Sequence, residues 1–491
     1  MNLSYPSQAI TRYFDIRNML PSSMKGEDHN LPGNREMYKN YIALALPSVC
    51  ETVLISLISM IDTIMVSGCG TDAVAAVGLV GQPRMIMLCV FFALNVGITA
   101  VVARRRGEER RDAANATVRT AVILIVLLCA VLMAVLIPLA RPLMLFAGAE
   151  EGRTLTESTE YFTICGWALP FQALSMALCA AQRGVGNTKL TMEVNVTSNL
   201  VNILFNWLLI NGIGPFEPMG VRGAAIATAI GLFVGFVLSM IAMIRGNENS
   251  FLHFSKSDKW RLDSEAMKAL WAVSSSAMLE QLVMRIGFFS YAKIVASLGT
   301  DAFAAHQICL QFMNLSFSCA DGLGVAGTSL VGRMLGAKRK DLAHIYGTLA
   351  QRFSLVISFI LALVCILLRT PLVNLFISAG GESDPEAVRN MAVRVMVVLG
   401  MIQPLQMLSL VISGALRGAG DVKYTARVML LTVAVIRPLL SWLGVWIAGT
   451  LMGRQDLALI FAWSATLCDM TVRAMLMLQR YQSGKWHNIK V

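Results

Sequence analysis

The feature that most constrains this chain is a series of long apolar runs separated by short polar loops. A helix needs about 20 mostly apolar residues to cross the hydrocarbon core of a bilayer, and twelve runs reach that length. A transmembrane strand would alternate apolar and polar residues, and the runs show no such alternation. The pattern predicts an all-α, polytopic membrane protein. The twelve predicted spans are 41–66, 78–102, 117–140, 159–181, 190–212, 221–244, 267–297, 302–331, 347–369, 388–415, 425–449 and 456–479.

The composition agrees with this fold class and excludes several others. Of 491 residues, 56% are hydrophobic and 14% are charged, whereas soluble domains contain about 25% charged residues. The ten cysteines form no CxxC and mostly lie in apolar runs, which argues against a disulfide framework. The five histidines show no metal-ligand spacing. We therefore expect no resident metal, no cofactor and no catalytic residues.

The positive charge is distributed as in a membrane protein rather than in a nucleic-acid-binding protein. The net charge is +11, and the basic residues cluster in alternate loops, as in Arg104–Arg106 and Lys338–Lys340. Loops on the other side are acidic or poor in Lys and Arg, as in 150–160 and 382–386. Under the positive-inside rule this places both termini in the cytoplasm. The expected partners are membrane lipid and a small-molecule substrate, with no nucleic acid.

An internal repeat divides the chain into two related halves. The segment Gly70–Ala76 recurs as Gly299–Ala305, 229 residues later. The motif Arg183-Gly184-x-Gly186 recurs at Arg417, 234 residues later, and its glycines suggest a tight turn. Two pseudo-symmetric six-helix bundles are predicted, which could rock about a central cavity. The predicted divisions are a cytoplasmic tail (1–38), an N-lobe (39–245), a linker (246–262), a C-lobe (263–480) and a C-terminal tail (481–491).

The carboxylates Glu51, Asp62, Glu280 and Asp321 fall inside the apolar runs. A carboxylate at the centre of a spanning helix costs about 2.5–3.5 kcal/mol on insertion scales, so it normally faces a cavity or a partner. Such a group can also exchange a proton with the solution when its environment tunes it. Asp62 and Glu280 are the candidates for ion coupling. For Glu280 the alternative is an internal ion pair with Arg285 or Lys293.

A stripe of asparagines accompanies these acids. Asn195, Asn199, Asn202 and Asn206 are spaced by 4, 3 and 4 residues, which puts them on one helical face. Amide groups facing lipid would be unpaired, so the stripe should face the bundle interior. Thr228 can complete a polar cluster with Asp62. The alternative is that the amides only join helices together.

Several motifs together resemble the MATE (multidrug and toxic compound extrusion) transporters of the MOP superfamily. They include Pro47 followed by Met60-Ile61-Asp62-Thr63, the segment Arg183–Lys189, Ala304-Ala305-His306-Gln307, and Arg417–Asp421. The resemblance implies a monomeric antiporter in the bacterial cytoplasmic membrane. It would export organic, often cationic or aromatic compounds, with H⁺ or Na⁺ moving inward. A fainter similarity points to an enterobacterial branch associated with flavin export.

The resemblance also implies roles for individual residues. Asp62, Asn202, Asn206 and Thr228 match the cation or proton site of the N-lobe, although some members carry an acid where Asn206 stands. Glu280 matches an acid of the C-lobe, but Gln406 occupies the position of a second acid there, so Na⁺ coordination is less expected. The residues expected to line the substrate cavity are Glu51, Asn195, Asn199, Gln281, Asp321 and Gln406. Asp321, beside Gly322 and Gly324, should mark an unwound or cavity-lining turn, or the cap of a broken helix.

Two other functions remain open at this point. A flippase for lipid-linked oligosaccharides, from the same superfamily, would need a cationic cavity, and Arg285, Lys293 and Arg437 lie inside predicted spans. An integral-membrane transferase would need clustered His and Asp or a Ser/His/Asp group, and none stands out in the sequence.

Overall fold

The computed structural model describes residues 15–20, 31–67, 71–149, 151–213, 217–245, 251–255, 260–376, 384–452 and 457–489. Parts of the predicted tails (1–14, 21–30 and 490–491) and linker (246–250 and 256–259) lie outside the described residues. The described residues form helices and connecting turns, and no strand occurs among them. The predicted all-α class is confirmed.

Eight helices make up the first part of the described chain. They are α1 (Asn34–Ser67), α2 (Thr71–Gly107), α3 (Arg111–Leu136), α4 (Ala140–Phe146), α5 (Arg153–Trp167), α6 (Leu169–Gly184), α7 (Thr188–Asn211) and α8 (Gly220–Arg245). Helices α5 and α6 meet at an angle of 49° and together cover the predicted span 159–181. The bend lies beside Pro170, which has no N–H to continue the helical ladder.

The second part of the chain repeats this plan. Its helices are α9 (Ser264–Ala296), α10 (Thr300–Gly336), α11 (Lys340–Leu367), α12 (Arg369–Asn374), α13 (Pro385–Gly418), α14 (Val422–Met429), α15 (Arg437–Trp446) and α16 (Ala458–Gln482). Two π-helical segments, Leu430–Ile436 and Ile447–Leu451, flank α15 and join it into one long segment with α14. Short π-helical stretches inside longer helices are often found at functional sites.

The chain is a multi-pass membrane protein. Eight helices of the described chain are long and apolar enough to cross a bilayer, or nine when the bent pair α5–α6 counts as one span. Three more long helices, α7, α9 and α10, have 24, 33 and 37 residues and carry the polar residues singled out above. With these the helices account for the predicted twelve spans.

The described residues group into two compact units. The N-unit comprises Cys50–Met278, and the C-unit comprises Met1–Val49 with Leu279–Lys490. The division falls inside α1 and α9, so each unit includes the first turns of a helix that belongs mainly to the other. The predicted lobe boundaries at 39–245 and 263–480 stay a prediction.

Specific contacts hold these first turns in place within each unit. In the C-unit, the Tyr41 hydroxyl donates to the Leu323 carbonyl oxygen at 3.3 Å, and its ring stacks on Phe353. In the N-unit, Arg105 Nη2 contacts Glu265 Oε1 at 2.5 Å. Backbone groups, aromatic rings and an ion pair thus fix the beginnings of α1 and α9.

The two copies of the Arg-Gly-x-Gly motif form equivalent turns. Gly186 and Gly420 have φ values of 89° and 86°, a region that favours glycine. Their N–H groups donate to the Arg183 and Arg417 carbonyl oxygens at 3.0 and 2.9 Å. The turn predicted from the repeat is confirmed, and it brings both arginines to the ends of helices α6 and α13.

Candidate functional site

The asparagine stripe on α7 runs alongside α1 within the N-unit. Asn195 Nδ2 donates to Glu51 Oε1 at 2.7 Å, and Asn206 Nδ2 donates to Asp62 Oδ1 at 2.8 Å. Between them, Asn199 donates to the Asn195 carbonyl oxygen at 2.7 Å. The stripe therefore covers about three helical turns of α1 and links its two acids to one neighbouring helix.

Asp62 is surrounded by neutral hydrogen-bond donors. When the Asn202 amide is oriented so that both of its ends have partners, its Nδ2 donates to Asp62 Oδ1 and Oδ2 at 3.0 and 3.1 Å. In the same orientation its oxygen accepts from the Thr228 N–H at 3.1 Å. No ion pair in the described part of the chain includes Asp62, and the residue is only half-buried. The structure thus brings together the four residues predicted for the N-lobe site.

Two residues that the sequence did not single out extend this cluster. Tyr161 on α5 hydrogen-bonds the Thr228 side chain and interacts electrostatically with Asp62. Arg84 on α2 hydrogen-bonds Tyr161, and its Nη2 donates to Gln172 Oε1 at 3.4 Å. We call Asp62, Asn202, Asn206, Thr228, Tyr161 and Arg84 the Asp62 cluster. Its members come from five helices. Arg84 is a cation inside the apolar run 78–102, and that signal could have identified it.

Glu51 belongs to a second group in the N-unit. Arg183 Nη1 lies 3.3 Å from Glu51 Oε1, and the Thr191 hydroxyl donates to Glu51 Oε2 at 3.0 Å. Glu51 is buried, so its charge is compensated by an arginine and by hydroxyl and amide donors. Charge-assisted hydrogen bonds of this kind are stronger than neutral ones, so they join α1 to α6 and α7.

Glu280 has the same surroundings in the C-unit. It forms an ion pair with Arg417, and the Thr425 hydroxyl donates to its Oε2 at 3.0 Å. The ion-pair partner of Glu280 is therefore Arg417, and the alternative prediction of a pair with Arg285 or Lys293 was wrong. The three residues Glu280, Arg417 and Thr425 follow Glu51, Arg183 and Thr191 by the two repeat offsets, so the internal repeat is preserved in side-chain contacts.

A second ion cluster of the C-unit also went unnoticed in the sequence. Arg437 Nε and Arg473 Nη2 each donate to an Asp469 carboxylate oxygen at 2.7 Å. The three side chains are at most 4% exposed, and the Arg437 guanidinium lies 5.2 Å from the Phe288 ring centroid. Arg437 is one of the cations that a flippase cavity would require, but here it is bound by an aspartate.

The other residues predicted to line the substrate cavity are Gln281, Gln406 and Asp321, and the structure gives them no shared partner. Gln281 is half-buried next to Glu280. Gln406 is buried in α13, and neither end of its amide has a hydrogen-bond partner among the described residues. Asp321 lies within the continuous helix α10, so the unwound turn or helix break predicted there was wrong. The adjacent Gly322 is needed because the α1 backbone at Val49 approaches it closely.

The part of the chain that the structure describes contains no group of three His, Cys, Asp or Glu side chains able to hold a metal ion. Within the Asp62 cluster, the hydrogen-bond partners of the Asp62 carboxylate are the neutral amides of Asn202 and Asn206. Three other acids of the spanning helices, Glu51, Glu280 and Asp469, are bound to arginines, and Asp321 interacts electrostatically with Arg417.

Comparison with known proteins supports a transporter. The MatE family profile matches residues 47–208 and 276–443. A relative from Thermotoga maritima, described as the probable multidrug resistance protein NorM, is 29% identical over 483 residues and covers 97% of both chains.

Solved structures establish the same fold. A MATE family transporter of the MOP superfamily in an outward-facing conformation superimposes with a TM-score of 0.82 and 19% identity, over 91% of this chain and 97% of the other. A variant of the Vibrio cholerae MATE transporter VcmN superimposes with a TM-score of 0.80 and 20% identity, over 92% and 99%. At this identity the likeness concerns the fold.

Proposed function

Because the chain belongs to the MatE family of transporters, we propose that it is an antiporter that exports organic compounds in exchange for protons bound at Asp62. The protein is a transporter rather than an enzyme, and its family includes multidrug efflux proteins. The observation that carries the proposal is that Asp62 has only neutral hydrogen-bond partners, whereas Glu51 and Glu280 are paired with arginines.

The hydrogen bonds around Asp62 favour a proton over Na⁺ as the coupling ion. Both asparagines, Asn202 and Asn206, direct their Nδ2 groups at the carboxylate. A sodium ion at this carboxylate would meet N–H donors unless both amides rotated to present the oxygen ligands that a hard cation requires. A proton needs no such coordination and can be carried by the carboxylate itself.

Protonation changes which hydrogen bonds the cluster can make. The ionised carboxylate accepts from the Asn206 amide, while Asn206 Oδ1 is buried without a hydrogen-bond partner. A protonated Asp62 can donate to that oxygen once the Asn206 amide rotates. The two protonation states thus favour different hydrogen bonds between α1 and α7. A proton can bias a conformational equilibrium only through such a difference in affinity.

The remaining parts of the proposal follow from the family and from the charge pattern. The substrate is an organic compound, cationic or aromatic, with flavins as one class to test. The transporter acts as a monomer in the bacterial cytoplasmic membrane with both termini in the cytoplasm, in keeping with the basic loops. The proton enters from outside, and substrate release follows protonation of Asp62.

The test is transport by purified protein in liposomes, with the H⁺ and Na⁺ gradients imposed independently and a fluorescent cationic dye or riboflavin as substrate. We expect a pH gradient alone to drive transport, and Asp62→Asn to reduce it to the level of empty liposomes without loss of folded protein. Asp112→Asn, which makes the same change at an exposed site of the N-unit, is the matched control. Wild-type transport rates in Asp62→Asn, or transport driven only by Na⁺, would refute the proposal.

A further inference from the structure

A π-helical turn interrupts the long helical segment that contains α14 and α15. At the end of this turn, Leu430–Ile436, the N–H group of Arg437 donates to the Thr432 carbonyl oxygen, five residues earlier. In an α-helix the same N–H group would bond the carbonyl oxygen of Val433, four residues earlier. The turn therefore holds one residue more than an α-helical turn, and such turns are rare and frequently lie at functional sites.

The extra residue brings Thr432 and Arg437 to the same face of the helix. Five residues rotate an α-helix by about 500°, so the two side chains would point about 140° apart. In the π-helical turn both side chains reach α16. Arg473 Nε donates to Thr432 Oγ1 at 3.2 Å, and Arg437 Nε donates to Asp469 Oδ2 at 2.7 Å. The π-helical geometry thus allows both side chains to meet the Asp469–Arg473 ion pair.

Helix α9 contacts the backbone of the same turn. Gly287 lies so close to Val433 that a Cβ atom at position 287 would be 2.5 Å from the Val433 carbonyl oxygen. Only glycine leaves room for this approach. The Val433 carbonyl oxygen is also the acceptor that an α-helical bond from Arg437 would use. Contacts from α9 and α16 therefore hold the turn in its π-helical form.

The ion cluster contains a contact that can open without leaving the aspartate uncompensated. Arg473, four residues after Asp469 on the same helix, donates to both carboxylate oxygens at 2.7 and 2.8 Å. Asp469 would therefore keep a counter-charge if Arg437 moved away. The Phe288 and Tyr291 ring centroids of α9 lie 5.2 and 5.8 Å from Arg437 Cζ. Aromatic faces at this distance attract a guanidinium, so Arg437 has other partners nearby.

The first repeat has a different helix at the corresponding place. Helix α7 (Thr188–Asn211) is α-helical along its whole length. The positions 234 residues before Thr432 and Arg437 are Ser198 and Ile203, and an isoleucine cannot bind a carboxylate. The π-helical turn and the arginine that it positions therefore belong to the second repeat alone.

We propose that the Leu430–Ile436 turn is a movable joint of the transporter, which closes to α-helical hydrogen bonds and reopens during the transport cycle. Closure advances α15 by one residue relative to α14, which is a rotation of about 100° and a shift of about 1.5 Å. This movement takes Arg437 away from Asp469. The ion cluster is then the latch that holds the joint open. The inference requires that the chain is a transporter, and it does not depend on Asp62 as the proton carrier.

The experiment compares two single-residue deletions in the full-length protein. Deletion of Leu431, an exposed residue of the turn, removes the extra residue, so the turn becomes α-helical while the helix on either side keeps its position. We expect this variant to fold and to bind the dye or flavin that the wild type transports, but to lose transport in liposomes. The matched control is deletion of Gly449 from the second π-helical turn, Ile447–Leu451, which carries no charged residue. This control should retain transport.

Hydrogen exchange measures the joint without a substrate. A turn that opens and closes exposes its amide groups, so the peptide covering 430–437 should exchange faster in the wild type than in the Leu431 deletion. The peptide covering 447–452 should exchange equally in both proteins. Equal exchange of 430–437 would show that the turn is static and would refute the joint.

A substitution provides a second test in case the deletion does not fold. Gly287→Ala places a methyl group against the Val433 carbonyl oxygen and should lower transport, because it displaces the turn from its π-helical form. In Gly449→Ala the added Cβ has no described atom within 4 Å, so transport should match the wild type. Wild-type transport by Gly287→Ala would also contradict the proposal.

The outcomes separate this inference from the proposed function. If the folded Leu431 deletion transports at the wild-type rate, the joint is refuted and proton coupling at Asp62 stands. If Asp62→Asn retains pH-driven transport while the Leu431 deletion has lost it, the proposed coupling site fails and the joint stands.

Discussion

The two repeats use the same framework but differ in the polar residues placed on it. In the N-unit, Glu51 is bound by Arg183 and Thr191, and in the C-unit Glu280 is bound by Arg417 and Thr425. The Asp62 cluster, in contrast, has no counterpart. The positions one repeat later than Asp62 and Arg84 are Tyr291 and Met313. The positions one repeat later than the asparagine stripe are apolar: Met429, Val433, Ile436 and Leu440.

This difference separates two uses of a buried charge. A carboxylate bound to an arginine joins helices together, and removal of one partner leaves an uncompensated charge. A carboxylate held by amides can gain and lose a proton without leaving a charged partner behind. The repeated pairs are therefore structural elements, and the residues present in one repeat only are the candidates for coupling.

The largest effect on folding is expected at Asp469, the most completely paired acid. Asp469→Asn leaves Arg437 and Arg473 buried together without a counter-charge, which should cost about 3–5 kcal/mol. The measurement is thermal or denaturant unfolding in detergent, with Asp62→Asn as the control that should unfold like the wild type. Equal stability of the two variants would remove the distinction between paired and unpaired acids.

A smaller loss of stability is expected at the repeated pairs. Glu280→Gln and Glu51→Gln should each lower the unfolding free energy by about 1–3 kcal/mol, because a charged hydrogen bond is lost and an arginine remains only partly exposed. Both variants should still show pH-driven transport. The double variant Glu280→Gln/Arg417→Gln should recover part of the lost stability. Loss of proton coupling in Glu280→Gln at normal stability would make the C-unit part of the coupling machinery.

The asparagine stripe allows a comparison between two of its members, Asn206 and Asn199. Asn206→Ala removes a donor from Asp62, which should cost about 1 kcal/mol and shift the pH dependence of transport. Asn199→Ala removes a bond to a backbone carbonyl on its own helix and should leave the pH dependence unchanged. The pH profile of transport in liposomes distinguishes the two. Identical profiles would show that the stripe only joins helices.

The smallest effect concerns the C-terminal segment Lys485–Asn488, which docks on the C-unit. Burial, helped by Lys340, lowers the pKa of His487 to about 4, compared with about 6.5 for an exposed histidine. The undocked segment therefore binds more protons between these values, and docking weakens as the pH falls from about 6.5 towards 4. Trp486, which is buried, should show this as a fluorescence change. His487→Gln should reduce the change without affecting transport, while the buried His344, which also stacks on Trp486, accounts for the remainder. An undiminished change would exclude His487 as a source.

Much of the fold and part of the site could be predicted from the sequence. Run length and the repeat predicted the twelve helices, and the 3.6-residue period placed Asn195, Asn199, Asn202 and Asn206 on one face. Because lipid cannot satisfy amide groups, that face had to meet another helix, and Asp62 was one of the acids available to it. These inferences need only the geometry of a single helix and the fact that the surrounding lipid forms no hydrogen bonds.

The sequence by itself therefore determined the helices, their repeat and the polar face of α7. Only the tertiary structure decided which charged side chains meet: Glu280 with Arg417, and Asp469 with Arg437 and Arg473. These partners lie on helices whose rotation about their own axes is set by the packing of the whole bundle, and a few tens of degrees change which side chains face each other. The sequence shows that acids lie within the spanning helices, and the packing decides which of them are bound to arginines and which are not.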